Sequence, residues 1–332
     1  MKRISAPGNI FLLGEHSVVY GRPALLASID RRTYVSGRKK EGRSVEVESC
    51  GYGSIDSDLS GLLKRVYRTQ DAYNDPMDPI RDLIGSFSSI KNMDTGFEAS
   101  IESDIPRDSG GQSSSTAVLA AFFDFLCGIY GVSMERKLYF SHLYPFQVKI
   151  HGGAASGSEF ASSILGGYNR VAKTPGGEVP VDFKNMGNLE LDLVIGDTGI
   201  EAKTDKTVGH VRQCLKEDRE TYETYFNSID DLVEGAEKAI KNQNLPRLGS
   251  LMDKNHRILR RMGVSHRKLD RLVDAARDAG ALGAKLSGGG GGGIMVALCD
   301  ETNKRDIKQA IEEAGGDGCI TEVGVDGVRR EV

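Results

Sequence analysis

Apolar and polar positions follow different periods along the chain. Val45-Glu46-Val47-Glu48 alternates with period two, as does 97–105, Phe-Glu-Ala-Ser-Ile-Glu-Ser-Asp-Ile. Both predict strands with one face buried. Ile10 to Leu13 and Ala24 to Ile29 are short continuous apolar runs and predict further strands. Leu59, Leu62, Leu63 and Val66 fall on one face of a helix predicted over 59–73. Asp75-Pro76-Met77-Asp78-Pro79 interrupts that pattern, and Pro79 can open the next helix. An apolar helix is predicted over 117–130, ended by Gly131. The first half therefore contains the succession strand, Gly/Ser loop, helix.

Between 174 and 189 the composition shifts to Pro, Gly, Asn and Lys. A domain boundary is expected there, giving units 1–186 and 187–332. Beyond it the pattern predicts a strand over 189–195 and three or four amphipathic helices between 206 and 280. A strand-loop-strand follows around a glycine run at 288–293, then a helix over 302–314 and a last strand near 319–323. Mixed helices and strands in this half predict an α+β sandwich. No internal repeat is evident.

The length of 332 residues suits two domains, and 39% apolar with 27% charged residues suits a packed core. A net charge of −4 gives no basic excess for a nucleic-acid partner. Cys50, Cys127, Cys214, Cys299 and Cys319 are scattered and lack metal-ligand spacing, so free thiols in a reducing compartment are expected. The first apolar stretch ends at Glu15-His16 and has no cleavage site, and no run approaches the ~20 apolar residues of a membrane span. A cytoplasmic protein with no membrane partner is expected.

Three segments carry candidate chemistry. The first to weigh is Asp108-Ser109-Gly110-Gly111-Gln112-Ser113-Ser114-Ser115-Thr116. Its glycines let backbone N–H groups approach an anion, and the following helix points its positive end at the same spot. A flexible loop with Ser or Thr as the helix cap accounts for the segment equally well. It is not a Walker A loop, because no Gly-Lys-Ser/Thr follows. The second is Ser287, six glycines and Ile294. A hairpin needs one or two glycines, so a loop lying close beneath a ligand is the better reading than a linker. The third is 6–21, where Gly14, Glu15 and His16 follow a short strand. Polar groups there can face a substrate pocket, or simply form a turn with a solvent-facing pair.

Taken in order, these segments resemble the three signature motifs of the GHMP kinases, the galactose, homoserine, mevalonate and phosphomevalonate kinases. Gly14-Glu15-His16-Ser17-Val18-Val19-Tyr20-Gly21 is similar to the first motif of mevalonate kinases, and 284–298 to their third. Gly196-Asp197-Thr198-Gly199, with Thr204 and Val211-Arg212 after it, resembles archaeal members. The resemblance implies an N-terminal domain like ribosomal protein S5 domain 2 and a C-terminal ferredoxin-like domain. It implies ATP and Mg²⁺ as cofactors, with ATP against Ser109, Gly110, Gly111, Gln112, Ser113, Ser114 and Ser115. Ser114 and Gln147 would hold Mg²⁺. Glu15, His16, Thr204 and Gly289 would contact the substrate, mevalonate or a phosphorylated mevalonate. Glu159 and Asn9 would stand at the catalytic positions. A homodimer is left open by resemblance alone.

Departures from the family pattern cluster at the expected centre. The usual lysine of Ala-Pro-Gly-Lys is Asn9, which supplies no positive charge. Gln147 stands where a Mg²⁺-binding glutamate is usual, before His151-Gly152, with one extra residue near Gly153. Glu159 stands where the catalytic aspartate is usual and can still serve as a carboxylate base. Asp108 and Gln112 occupy positions usually held by glycine, and Arg107 beside them is an exposed charge or a partner for a further phosphate. Four readings follow: phosphorylation of the mevalonate 5-hydroxyl, the same transfer to mevalonate 3-phosphate, a non-catalytic nucleotide-binding relative, and a decarboxylase of the same superfamily. The Gly-Glu-His segment argues against the last.

Overall fold

The computed structural model describes residues 1–64, 73–106, 110–151, 155–174, 181–187, 189, 191–202 and 204–331. The first half is built from β1 (Lys2–Leu13), β2 (Ala24–Lys39), β3 (Ser44–Ser49), β4 (Gly53–Asp58), α1 (Leu59–Leu63), α2 (Asp78–Phe87) and β5 (Phe97–Ser103). It continues with α3 (Ser114–Tyr130), α4 (Tyr139–Ile150), α5 (Glu159–Leu165), β6 (Tyr168–Lys173) and β7 (Val181–Asn185). The helix expected over 59–73 is described only as α1, and its continuation at 65–72 lies outside the described residues.

With β12 (Arg329–Arg330), contributed from far along the chain, these strands form one sheet in the order β12-β1-β2-β5-β3-β4, with β6 and β7 branching from β2. The length of β2 allows this: its first residues pair with β6 and its later ones with β5, while β1 runs antiparallel alongside. The register of β1 shifts between Pro7 and Gly8, immediately before Asn9. Gly8 is obligatory there, since a Cβ would lie 2.6 Å from the carbonyl of Gln112. The β1 backbone thereby touches the Gly/Ser loop, and Asn9 N donates to Gln112 O at 3.2 Å.

Helix α3 covers this sheet. Ala117, Ala120, Ala121, Phe122, Phe125 and Leu126 are all fully buried. A helix apolar on most sides belongs in a core, and α3 lies among β1, β2, α2 and α5. It begins at Ser114, three residues before the apolar pattern, and ends at Gly131 in the left-handed region. The early start reflects serines that belong to the helix but face the cleft.

The second half holds β8 (Asp192–Asp197), α6 (Thr204–Glu217), α7 (Arg219–Lys241), α8 (Leu245–Arg261) and α9 (Arg267–Asp278). It continues with β9 (Gly283–Ser287), β10 (Ile294–Cys299), α10 (Lys304–Glu313), β11 (Asp317–Ile320) and β12 (Arg329–Arg330). Its four-stranded sheet is fully antiparallel in the order β11-β8-β10-β9. With α6 to α9 inserted after β8 and α10 after β10, this is the β-α-β-β-α-β pattern of ferredoxin-like sandwiches. Its apolar side packs with α7, α8, α9 and α10 around Leu193, Val233, Met252, Leu272 and Ile307.

The strand expected near 319–323 is centred earlier, at Asp317–Ile320, and is not the last. The chain returns to the first sheet, where Arg329 pairs with Ser5 and Arg330 with Ile4. Arg32, almost fully buried, fastens this return through Asp326 O at 2.8 Å, Gly327 O at 2.7 Å and Ser5 Oγ at 2.7 Å. A buried guanidinium is tolerated because carbonyl and hydroxyl oxygens occupy its donors. No helix among the described residues is long and apolar enough to cross a membrane.

Candidate active site

The cleft is a cavity of about 190 Å³ where the two halves meet. Its walls come from the end of β1, the start of α3, the start of α5, the start of α6 and the glycine loop after β9. Gly110, Gly111, Ser113, Ser114 and Ser115 line one side, and Glu15, His16, Thr204, Gly288 and Gly289 another. Glu159 and His151 also line it. Ser109, Arg107 and Asp108 lie outside the described residues, as do Gly152 and Gly153. A second, largely apolar cavity of about 450 Å³ shares Ser114 and Ser115 with the first and extends toward Tyr52, Met77, Ile80 and Ile101.

A hydrogen-bonded network stands at the junction of α3, α5 and β1. Ser113 immediately precedes α3 with φ 58°, and its hydroxyl caps nothing in that helix. Instead Ser113 Oγ lies 3.0 Å from Asn9 Oδ1 and 3.2 Å from Glu159 Oε1. A hydroxyl has one proton, so it serves one of these acceptors at a time. Gln147 Nε2 donates to the other carboxylate oxygen of Glu159. Asn9 Nδ2 donates to the Glu159 carbonyl at 3.1 Å and to Ser163 Oγ at 3.4 Å. Asn9 and Gln147 are fully buried, and Gln147 Oε1 has no hydrogen-bond partner among the described residues. Glu159 opens α5, where the helix N-terminus favours its negative charge. The Ser113 hydroxyl thus ties loop, strand and carboxylate together instead of capping the helix.

The far wall is organised around the turn after β1. Glu15 and His16 are not a solvent-facing pair; they are 1% and 5% exposed. Glu15 pairs with Lys285 Nζ and accepts from Asn255 Nδ2 at 3.3 Å. Burial raises the Glu15 pKa and lowers that of Lys285, and each charge opposes the shift of the other. His16 has φ 62° and places Nε2 3.0 Å from Gly289 O. Burial lowers its pKa to about 4, so the ring is neutral at neutral pH and donates from Nε2.

The glycine loop is only partly a ligand surface. Gly288 and Gly289 line the cleft, whereas Gly290 to Gly293 do not. A Cβ on Gly290 would lie 2.0 Å from Val264 O, and one on Gly292 2.6 Å from Ile200 O. Gly290 to Gly293 all have positive φ. The sequence expectation was a loop beneath a ligand; the first two glycines line the cleft, and the other four meet the demands of the chain itself.

Among the described residues lining the cleft there is no lysine or arginine. No described cluster of three or more His, Cys, Asp or Glu residues is arranged to hold a metal ion. Three site residues escape the sequence reading. Lys285 is a lone charge in the apolar run 284–286. Asn255 sits in the helical stripe Leu248, Met252, Asn255, Leu259, all buried, and a polar residue on that stripe was the available signal. Ser163 offered none.

A family model described as "GHMP kinases C terminal" matches residues 236–317. The mevalonate kinase of Thermococcus sibiricus is 34% identical over 98% of this chain and 97% of its own length. The chain belongs to the GHMP kinase family. That of Pyrococcus abyssi is 33% identical over 98% of this chain and 97% of its own length. A solved structure, L. major mevalonate kinase in complex with R-mevalonate, superposes with a TM-score of 0.75 at 25% identity, covering 98% of this chain and 96% of that one. As a GHMP kinase the protein is an ATP-dependent small-molecule kinase of the mevalonate kinase-like kind, with the α+β two-sheet fold of the family.

Proposed function

We propose that this GHMP kinase transfers the γ-phosphoryl group of ATP to the 5-hydroxyl of mevalonate or a close derivative. The network joining Ser113, Asn9, Glu159 and Gln147 at the start of α3 carries the reading. It gathers a phosphate-binding loop, a carboxylate and buried amides at one point, opposite His16, Thr204 and Gly289. Phosphoryl transfer needs positioning and charge stabilisation more than covalent chemistry, and such a site supplies positioning. Phe11, Val18, Val19 and Val208 give the cleft an apolar wall suited to a branched aliphatic acceptor. The names of the full-length relatives support the same acceptor class.

In this reading Gly110, Gly111 and the hydroxyls of Ser114 and Ser115 receive the ATP phosphates, with the α3 N-terminus behind them. The larger apolar cavity would take the base. Glu159 accepts or orients the proton of the acceptor hydroxyl, held in place by Ser113 and Gln147. His16 and Thr204 orient the acceptor, and the Glu15 carboxylate shapes that end. Mg²⁺, which neutralises charge on the β- and γ-phosphates when bound, would be held by Ser114 and Gln147. The donors fit: both are oxygen ligands, and Gln147 Oε1 is buried with no partner among the described residues. Asn9 holds the network but brings no cation.

A second acceptor, mevalonate 3-phosphate, is favoured by the substitutions Asn9, Gln147 and Glu159, which together alter the centre. The deciding experiment is an ADP-release assay with Mg²⁺-ATP, offering mevalonate, mevalonate 3-phosphate and mevalonate 5-phosphate separately. Turnover of mevalonate alone supports an ordinary acceptor that tolerates Asn9. Turnover of the 3-phosphate alone assigns the altered centre to that substrate. Turnover of none rejects both and leaves a nucleotide-binding relative.

A further inference from the structure

The third motif contributes a buried cation to which neither the glycine loop nor the phosphate-binding network gives a role. Lys285 lies in the middle of β9, and its side chain is fully buried. Its ammonium pairs with Glu15, donates to Leu286 O at 2.6 Å and lies 3.4 Å from Phe11 O. Asn255 from α8 holds the second Glu15 oxygen at 3.3 Å. Both carboxylate oxygens are therefore engaged from behind the cleft wall.

An ammonium in such a place is an expensive way to fill space. Desolvating an ion carries a penalty of several kcal/mol, and an unbranched apolar side chain of similar length would avoid it. What the charge achieves is fixation of Glu15. The next residue is His16, held at φ 62° with its ring on Gly289 O, and both line the cleft. Helix α8 braces the same strand. β9 is an edge strand, and its outward amides are taken up by Asp253 Oδ1 from Ala284 N at 2.9 Å and His256 Nδ1 from Leu286 N at 3.3 Å. Lys285 thus stands on a strand that is fixed on its far side before it reaches across to the first half.

We propose that Lys285 is a positioning residue for the acceptor side of the cleft: it fixes Glu15 and, through it, the 14–17 turn that presents His16. The proposal rests on reading that wall as the acceptor side. It makes no claim on the ATP side, since among the described residues Lys285 donates to Phe11 O, Glu15 and Leu286 O and not to the loop Gly110 to Ser115.

The test is a double-mutant cycle of Lys285→Met and Glu15→Gln, with KM measured separately for acceptor and for ATP. The acceptor is whichever compound the wild type phosphorylates. Lys285→Met is expected to raise the acceptor KM about tenfold or more, as loss of a bond to a charged group would, with the ATP KM within about twofold. The double variant is expected to be no worse than the poorer single one, because both remove one interaction. Equal rises in the two KM values, or effects that multiply in the double variant, overturn the proposal. So does a fall in melting temperature with no split between the two KM values.

Two further measurements keep it decidable. If Lys285→Met does not fold, Asn255→Ala removes only the neutral donor and is expected to give the same split at about threefold. No split there overturns the proposal. If the wild type phosphorylates no acceptor, the functional reading fails, but hydrogen exchange still tests the positioning role. Exchange at 14–19 is expected to quicken about tenfold in Lys285→Met, or more modestly in Asn255→Ala, with 113–119 unchanged. Uniform or absent quickening overturns it.

Discussion

Two glycine-rich loops meet in the cleft, and they differ in how far each is open to it. In the loop before α3, Gly110 and Gly111 line the cavity and serines follow at once. In the loop after β9, only the first two of six glycines reach the cavity. Of the remaining four, all at positive φ, Gly290 is crowded by Val264 O and Gly292 by Ile200 O. The first loop faces the cavity with both its glycines, though Gly111 also packs against Ser287 O; the second is largely closed against its own chain. A run of glycine is therefore a statement about crowding, and the crowding agent can be the protein itself.

The comparison breaks first at Gly290. Gly290→Ala places a methyl 2.0 Å from a carbonyl at a positive φ of 73°, and we expect it to cost more than about 4 kcal/mol and abolish folded protein. A normal melting curve for this variant would remove the distinction between the loops. At the open loop the expected effects fall on activity. Glu159→Gln should lower kcat about 10²–10⁴-fold, with a melting temperature close to wild type. An unchanged kcat would take Glu159 out of the reaction. Ser113→Ala removes a donor shared by Asn9 and Glu159 and should lower kcat about tenfold, again with little change in stability.

The most gradual effect expected is a pH dependence on the closed side. His16 and His256 are both buried and have pKa values lowered from 6.5 to about 4. In the unfolded chain these rings take up protons near 6.5, and in the folded protein only near 4. Between those values the unfolded state binds more protons, so stability falls as pH falls, by on the order of 1 kcal/mol per pH unit for each ring. Thermal melts across that window should show the decline. A His256→Gln variant, which keeps a side-chain acceptor for Leu286 N, should show a shallower one. A flat melting temperature between pH 6.5 and pH 4 would refute the neutral assignment of both rings.

Much of this was legible in the sequence because local pattern and tertiary demand agreed. The period-two run at 45–48 is β3, Pro79 stands in the first turn of α2, and Gly131 ends α3. The α+β class and the family followed from the motifs. What was not legible depends on partners far along the chain. The partners of Ser113 cannot be read locally; only the fold brings Asn9 and Glu159 beside it. The Glu15-His16 pair reads as pocket wall or as surface turn until Lys285, Asn255 and Gly289 enclose it. Helix α3 starts early because its first serines face a cleft, so apolar periodicity cannot mark its beginning. The two residues of β12 carry no strand pattern, and only their register against Ile4 and Ser5 defines them.

That last pairing bears on the order in which the molecule assembles. Ser5 and Glu331 are hydrogen-bonded across 326 positions of sequence, and Arg32 fastens the same join. Asn9 lies four residues beyond Ser5 on the same strand. Contacts of such separation close slowly, since a long loop must lose its freedom before the contact returns any stability. The strand that carries the centre of the site therefore gains its outer partner late in folding, and the site is expected to be completed only when that long-range pairing closes.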